Sequence, residues 1–135
     1  MRRISNEIEI DASPEKVWEQ LTADHGEWNP FIERIEGRFA PGERLEVKFR
    51  NGPTMRPVVT EVQPGRVLEW MGSVGVQAIF DGRHRFELTE TSSGTRLVQS
   101  EQFSGILVPL LGRLLANAER NFSEMNEALS KLLVS

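Results

Sequence analysis

The chain has 135 residues, with 20 acidic and 16 basic side chains for a net charge of −4, two histidines and no cysteine. That length suits one domain, spanning 1–135, whose core needs no metal or disulfide staples. The missing cysteines exclude a disulfide framework, thiol catalysis and cysteine-ligated metal, and the dispersed charges leave no basic stripe for phosphates, so nucleic acid is not an expected partner.

The opening MRRISNEIEI carries two arginines with no apolar stretch behind them, and no later run approaches membrane-spanning length, so a cytoplasmic protein without a membrane span is expected. Ile4, Ile8 and Ile10 alternate with Ser5, Glu7 and Glu9, which predicts a strand with one wet face and puts Asn6 on the apolar side. Ser13 and Pro14 then supply a helix cap and a first helical residue, with Val17, Trp18 and Leu21 on the buried face. From Asp24 to Ile32 the breakers Gly26 and Pro30 fall so close together that a turn and a broken helix are expected.

From Glu33 to Phe103 six short strands are predicted, separated by turn residues. Leu45, Val47 and Phe49 alternate with Glu46 and Lys48; Asn51-Gly52-Pro53 and Pro64-Gly65 turn the chain, and Pro57 marks an unpaired position. A later strand sets Phe80, His84, Phe86 and Leu88 on one side and Asp81, Arg83, Arg85 and Glu87 on the other. After Gly105 the period changes. Leu111, Leu115, Ala118, Phe122, Met125, Leu129 and Leu132 form one stripe of a long helix, opposite Arg113, Glu119, Arg120, Glu124, Glu127 and Lys131. Such a stripe needs the apolar side of the meander as its partner, giving a two-layer α+β fold.

The turn Thr91-Ser92-Ser93-Gly94 fixes a register, because a two-residue and a four-residue loop give the same pairing. Leu88 then faces Leu97, Phe86 faces Gln99, His84 faces Glu101 and Gly82 faces Phe103, all on the apolar side. A histidine beside a carboxylate can hold a ligand carbonyl or act as general base, with Glu101 fixing the tautomer of His84. The competing reading is a buried polar pair that satisfies itself, or a Glu101 at the wet rim. With neither a nucleophile nor a metal cluster nearby, structural and ligand-orienting roles outweigh catalysis.

Trp18, Trp28 and Trp70 are core or pocket residues, and Trp70, on a central strand, is the best placed to touch a ligand. The run Ile106-Leu107-Val108-Pro109-Leu110-Leu111 is apolar all round, which suits a cavity lid, a homodimer contact or a membrane-surface patch, the lid needing fewest assumptions. His25 lies beside Asp24 and Glu27 without ligand-like spacing, so no metal is expected. Gly72 and Gly75 fall between strands rather than ahead of a helix, so no nucleotide or other cofactor is expected.

Taken together, these residues resemble the START/SRPBCC superfamily, and within it the bacterial polyketide-cyclase/dehydrase-like proteins related to the birch-pollen allergen. The resemblance runs through Ala12-Ser13-Pro14-Glu15-Lys16-Val17-Trp18, Trp28-Asn29-Pro30-Phe31, Pro64-Gly65-Arg66-Val67-Leu68-Glu69-Trp70, His84-Arg85-Phe86-Glu87-Leu88, Gly94-Thr95-Arg96-Leu97 and Glu101-Gln102-Phe103-Ser104-Gly105. It implies a helix-grip fold, a seven-stranded curved antiparallel sheet around the long C-terminal helix with two short helices after strand 1 and a cavity between. Similar proteins bind lipids, polyketides, hormones or other apolar molecules; some are cyclases or dehydratases, and they share no universal catalytic set.

Three functions follow as expectations. The first is binding of an apolar small molecule, lipid-like, polyketide-like or aromatic. Its wall would be Trp70, Phe80, Phe86, Leu97 and Phe103 with the helix residues Leu111, Leu115, Ala118, Phe122 and Met125, and its polar contacts His84, Gln99 and Glu101. The second is a cyclase, dehydratase or isomerase with His84 as acid/base, Glu101 as its orienter and Gln99 or Asn6 on the substrate. The third is a protein-interaction module of the chaperone-activator-like kind, using the 106–111 segment.

Overall fold

The computed structural model describes residues 2–23, 25–50, 54–73, 81–105 and 112–134. The elements in chain order are β1 (Arg2–Ile10), α1 (Pro14–Leu21), α2 (His25–Trp28), β2 (Ile32–Glu36), β3 (Glu46–Phe49), β4 (Thr54–Met55), β5 (Val58–Gln63), β6 (Val67–Ser73), β7 (Asp81–Thr91), β8 (Gly94–Ser104) and α3 (Gly112–Val134). Five strands pair in the order β1-β8-β7-β6-β5 and three in the order β2-β3-β4, every pairing antiparallel. A curved antiparallel sheet with a C-terminal helix is the helix-grip arrangement.

The described residues form eight strands in two sheets rather than the expected seven in one, and Pro57 is the reason. Proline has no amide hydrogen for the ladder, so the strand breaks into β4 and β5 on either side of Arg56 and Pro57. The partner chain runs past the break. Arg44 bridges Val58, Leu45 N donates to Pro57 O (2.9 Å), and Val47 and Lys48 pair with Met55 and Thr54 in the same register. The two sheets are therefore joined through residues 43–45.

Local signals act as their chemistry dictates. Ser13 caps α1, its side chain accepting from Lys16 N, and Pro14 takes the first helical position. Gln63-Pro64-Gly65-Arg66 closes a turn with Arg66 N donating to Gln63 O (2.8 Å); Gly65 adopts φ 77°, the conformation a type II turn demands after proline. The expected broken helix before β2 is the single turn α2.

Side chains stack in rows across the inner face of the sheet. One row is Ile8, Leu97 and Leu88; the next is Asn6, Gln99, Phe86 and Leu68; the third is Ile4, Glu101, His84 and Trp70; the fourth is Arg2, Phe103, Gly82 and Gly72. Helix α3 covers this face with Phe122, Met125, Asn126 and Leu129, all buried. Leu132, expected in the same stripe, is exposed, because the helical period carries the buried face from Leu129 to the partly buried Leu133.

Candidate functional site

The third row of the sheet carries the polar pair. His84 stands opposite Glu101 in the ladder, with Nδ1 2.8 Å from Glu101 Oε1. Its other nitrogen, Nε2, lies 3.0 Å from Gln99 Oε1 in the second row. Gln99 Nε2 donates to Asn126 Oδ1 (2.7 Å) on α3, and Asn126 Nδ2 donates to Asn6 Oδ1 (2.9 Å) on β1. A five-residue polar chain thus crosses from β7 through β8 and α3 to β1, and no buried side-chain nitrogen or oxygen among the described residues lacks a partner.

Aromatic rings fix the imidazole in place. The Trp70 ring stacks on His84 at 5.4 Å and 17°, while Phe122 presents its edge at 4.8 Å and Phe86 packs at 4.7 Å. Both nitrogens of His84 are held by the protein, so its faces, not its nitrogens, meet what lies beside it.

A cavity of about 330 Å³ opens between the sheet and α3. The β2–β4 side supplies Phe31, Ile32, Val47, Phe49, Met55 and Pro57; the main sheet supplies Trp70, Gly72, Gly82, His84, Glu101 and Phe103; and α3 supplies Asn121, Phe122 and Met125. Its origin is the fourth row: Gly72 and Gly82 are cross-strand partners, so two adjacent strands put no side chain into the space. A β-carbon on Gly82 would collide with Glu101 Oε2, whereas one on Gly72 would meet the Met55 methyl at 3.1 Å. Without a side chain at Gly82, the Glu101 carboxylate can lie along the sheet.

Of the residues singled out from sequence, Trp70, His84, Glu101, Phe103, Phe122 and Met125 line this cavity. Phe86, Leu97 and Gln99 do not: each is at most 1% exposed and sits beneath the wall, Gln99 reaching it only through His84. Phe80, Leu111 and the 106–110 segment, and the side chains of Leu115 and Ala118, lie outside the described residues. The sequence reading missed the β2–β4 wall, although Val47 and Phe49 alternate visibly, because alternation tells which residues share a face and not which face another part of the chain covers. It also missed Asn126, which could have been found four residues after Phe122 and three before Leu129, a polar residue within an apolar stripe.

Below the wall, His25 ties α1 to α2. Its Nε2 donates to Leu21 O (2.7 Å) and its Nδ1 accepts from Asn29 Nδ2 (3.2 Å), so the neutral ring is fully used. Burial lowers its pKa to about 4, the bond to Leu21 opposing that only in part. Asn29 Oδ1 in turn accepts from the backbone amides of Phe31 and Ile32, which sets both side chains in the wall. On the outer face, buried Glu69 accepts from Arg83 (2.8 Å), Arg85 (2.9 Å) and Thr60 (2.8 Å). Burial alone would raise the Glu69 carboxyl, but these bonds outweigh it and hold it below the ordinary carboxylate range.

Among the described residues no three His, Asp or Glu side chains cluster as metal ligands, and no helix is long and apolar enough to cross a membrane.

Residues 1–133 match the sequence profile of the family described as polyketide cyclase / dehydrase and lipid transport. No curated protein matches the chain. Among solved structures, protein MLL2253 from Mesorhizobium loti superposes with a TM-score of 0.83 at 27% identity, covering 98% of this chain and 96% of that one. The Aha1 dimer from Colwellia psychrerythraea superposes at 0.80 with 21% identity over 98% and 96% of the two chains. DynU16, a protein of the dynemicin biosynthetic locus, superposes at 0.81 with 20% identity over 98% of this chain and 47% of its own.

Proposed function

Since the chain belongs to the polyketide cyclase / dehydrase and lipid transport family of the START/SRPBCC superfamily, we propose that it binds a mostly apolar small molecule in the cavity between sheet and helix. The observation that carries this reading is the cavity itself: about 330 Å³, walled by aromatic and aliphatic side chains, with Glu101 and His84 at one corner. That volume lies within the range of small-molecule sites, and an apolar wall with few directional groups is their usual chemistry. Trp70, Phe103, Phe122 and Met125 would contact the ligand's body, and the polar corner one of its oxygens.

Native mass spectrometry of protein isolated from its own host tests this. The expected result is a retained organic molecule, lost in a Gly72→Val variant whose side chain occupies the floor. Protein that stays empty even after soaking with lipid and polyketide mixtures overturns it. The same ions give the assembly, which tests the homodimer that the Aha1 dimer suggests by analogy. A cytoplasmic location agrees with the lack of cysteine.

A catalytic reading has one observation in its favour, the 2.8 Å contact between His84 and Glu101 on the cavity wall. Here Glu101, which reaches the space with its second oxygen, would be the acid/base, and His84 its positioning residue. Turnover of a recovered ligand would then fall at least about a hundredfold in Glu101→Gln with binding retained; unchanged turnover excludes it.

A further inference from the structure

One edge of the five-stranded sheet is β1, with β8 on one side and α3 over its inner face. The β7–β8 hairpin fixes the hydrogen-bond phase of that edge. Thr91 stands opposite Gly94 with two residues between them, so this pair exchanges hydrogen bonds, and alternation directs the backbone groups of Arg96, Val98, Ser100 and Gln102 toward β7 and those of Thr95, Leu97, Gln99, Glu101 and Phe103 toward β1. Leu88 N, which donates to Arg66 O (2.7 Å) and so points away from β8, agrees with this phase.

On β1 the partners Arg2, Ile4, Asn6, Ile8 and Ile10 therefore bond to β8, while the amides and carbonyls of Arg3, Ser5, Glu7 and Glu9 point out of the sheet. Helix α3 leaves them open. Its Asn126 reaches β1 at the carbonyl of Asn6 (3.4 Å), one of the inward set, and no hydrogen bond from another described residue reaches the outward backbone groups. The side chains of Arg3, Ser5, Glu7 and Glu9 are all exposed.

A strand edge of this kind is a template for another strand unless a proline, a bulge or a cover interrupts it. The nine residues of β1 contain no proline and pair with β8 without a register shift. Charge then decides what can pair there, because Arg2 and Arg3 open the strand and Glu7 and Glu9 close it. Parallel pairing with a second copy would set like charges together. Antiparallel pairing about a two-fold axis at Asn6 sets Arg3 opposite the partner's Glu9 at both ends and Ser5 opposite the partner's Glu7, all at hydrogen-bonded positions. On the inner face, Ile4 meets the partner's Ile8, a residue only half-buried within one chain.

Other registers are worse. A slip of one residue sets outward groups against inward ones, and a slip of two either brings Glu7 against the partner's Glu7 or carries Glu9 past the partner's strand. Glu9 already accepts from Arg96 Nε (3.2 Å), so the partner's Arg3 would extend a row of alternating charge.

We infer that β1 is a self-complementary docking edge, along which two copies of this chain join antiparallel about a two-fold axis at Asn6 and merge their main sheets into one. The inference does not depend on what the cavity holds.

Sedimentation of the untagged full chain over a concentration series tests it. A reversible monomer–dimer equilibrium is expected, with a dissociation constant between about 1 μM and 1 mM, as suits a small interface. Ser5→Pro removes an outward amide and leaves the bonds to β8 in place, so it should abolish the dimer. Arg3→Glu and Glu9→Arg should each weaken self-association at least about tenfold, whereas an equimolar mixture of the two should dimerise like the parent, since each chain then meets its opposite charge. A chain still monomeric at about 1 mM, whether its edge takes a strand of another protein or only water, overturns the inference. So does a dimer that survives Ser5→Pro, or a mixture that associates no better than its components. Should Ser5→Pro not fold, the charge reversals decide, because they change only exposed side chains.

Discussion

Gly72 of β6 and Gly82 of β7 face each other across the ladder, and the cavity exists because neither has a side chain to fill the space under α3. The two positions nevertheless differ in what surrounds them. Beside Gly82 lies a carboxylate bonded to His84, and beside Gly72 the movable end of Met55.

Gly82→Ala should therefore be the costlier change. Its β-carbon forces Glu101 away from His84 Nδ1, with an expected loss of about 1–3 kcal/mol, the penalty of an unmet buried hydrogen bond. Gly72→Ala meets the Met55 methyl, which can move, and the Pro57 β-carbon at an ordinary 3.7 Å, so its stability should stay within about 1 kcal/mol of the parent. Chemical denaturation of both variants checks the order, and equal losses would mean that Glu101 can relocate freely.

Breaking the polar chain in the middle should cost more than its small atoms suggest. Asn126→Leu leaves Gln99 Nε2 without its acceptor in a site where both residues are 1% exposed, with an expected destabilisation of about 2 kcal/mol. The double change Gln99→Leu with Asn126→Leu removes both partners and should be less than additive. A cycle of denaturation measurements reads the coupling directly.

His25 predicts a pH dependence. Its folded pKa of about 4 lies below its unfolded value of 6.5, so between these the unfolded chain holds a proton that the folded chain does not. Stability is thus fully present above the unfolded value and falls as pH drops through this window, by about 3 kcal/mol when the whole shift is traversed. His25→Gln, which lacks the titrating ring, should show a flatter stability profile between pH 7 and about pH 5; a profile as steep as the parent's would assign the effect elsewhere.

On the outer face, Arg85 joins Glu61, Glu69 and Glu87, and Glu69 is nearly buried. Arg85→Met should destabilise by about 1–2 kcal/mol, because Glu69 keeps only Arg83 as a cationic partner. The Glu69→Gln, Arg85→Met double variant should recover part of that loss if an uncompensated charge is its source.

Features that depend on neighbours along the chain are legible in the residues alone. Period-two alternation gave the strand faces, Ser13 with Pro14 and Pro64 with Gly65 gave the helix start and a turn, and the short β7–β8 connection tied register to sidedness, so that the pairing of His84 with Glu101 could be counted out. Contacts that close over long separations come from packing. Asn126 meets Asn6 across 120 residues, and no local pattern encodes that contact. Seven residues separate β6 from β7, a spacing that does not dictate a register, so the opposition of Gly72 and Gly82, and with it the floor of the cavity, was not countable. Packing likewise put Val47, Phe49 and Met55 of β3 and β4 in the cavity wall. A strand's period fixes which residues share a face, but what that face meets is set by packing, and the cavity is a product of packing.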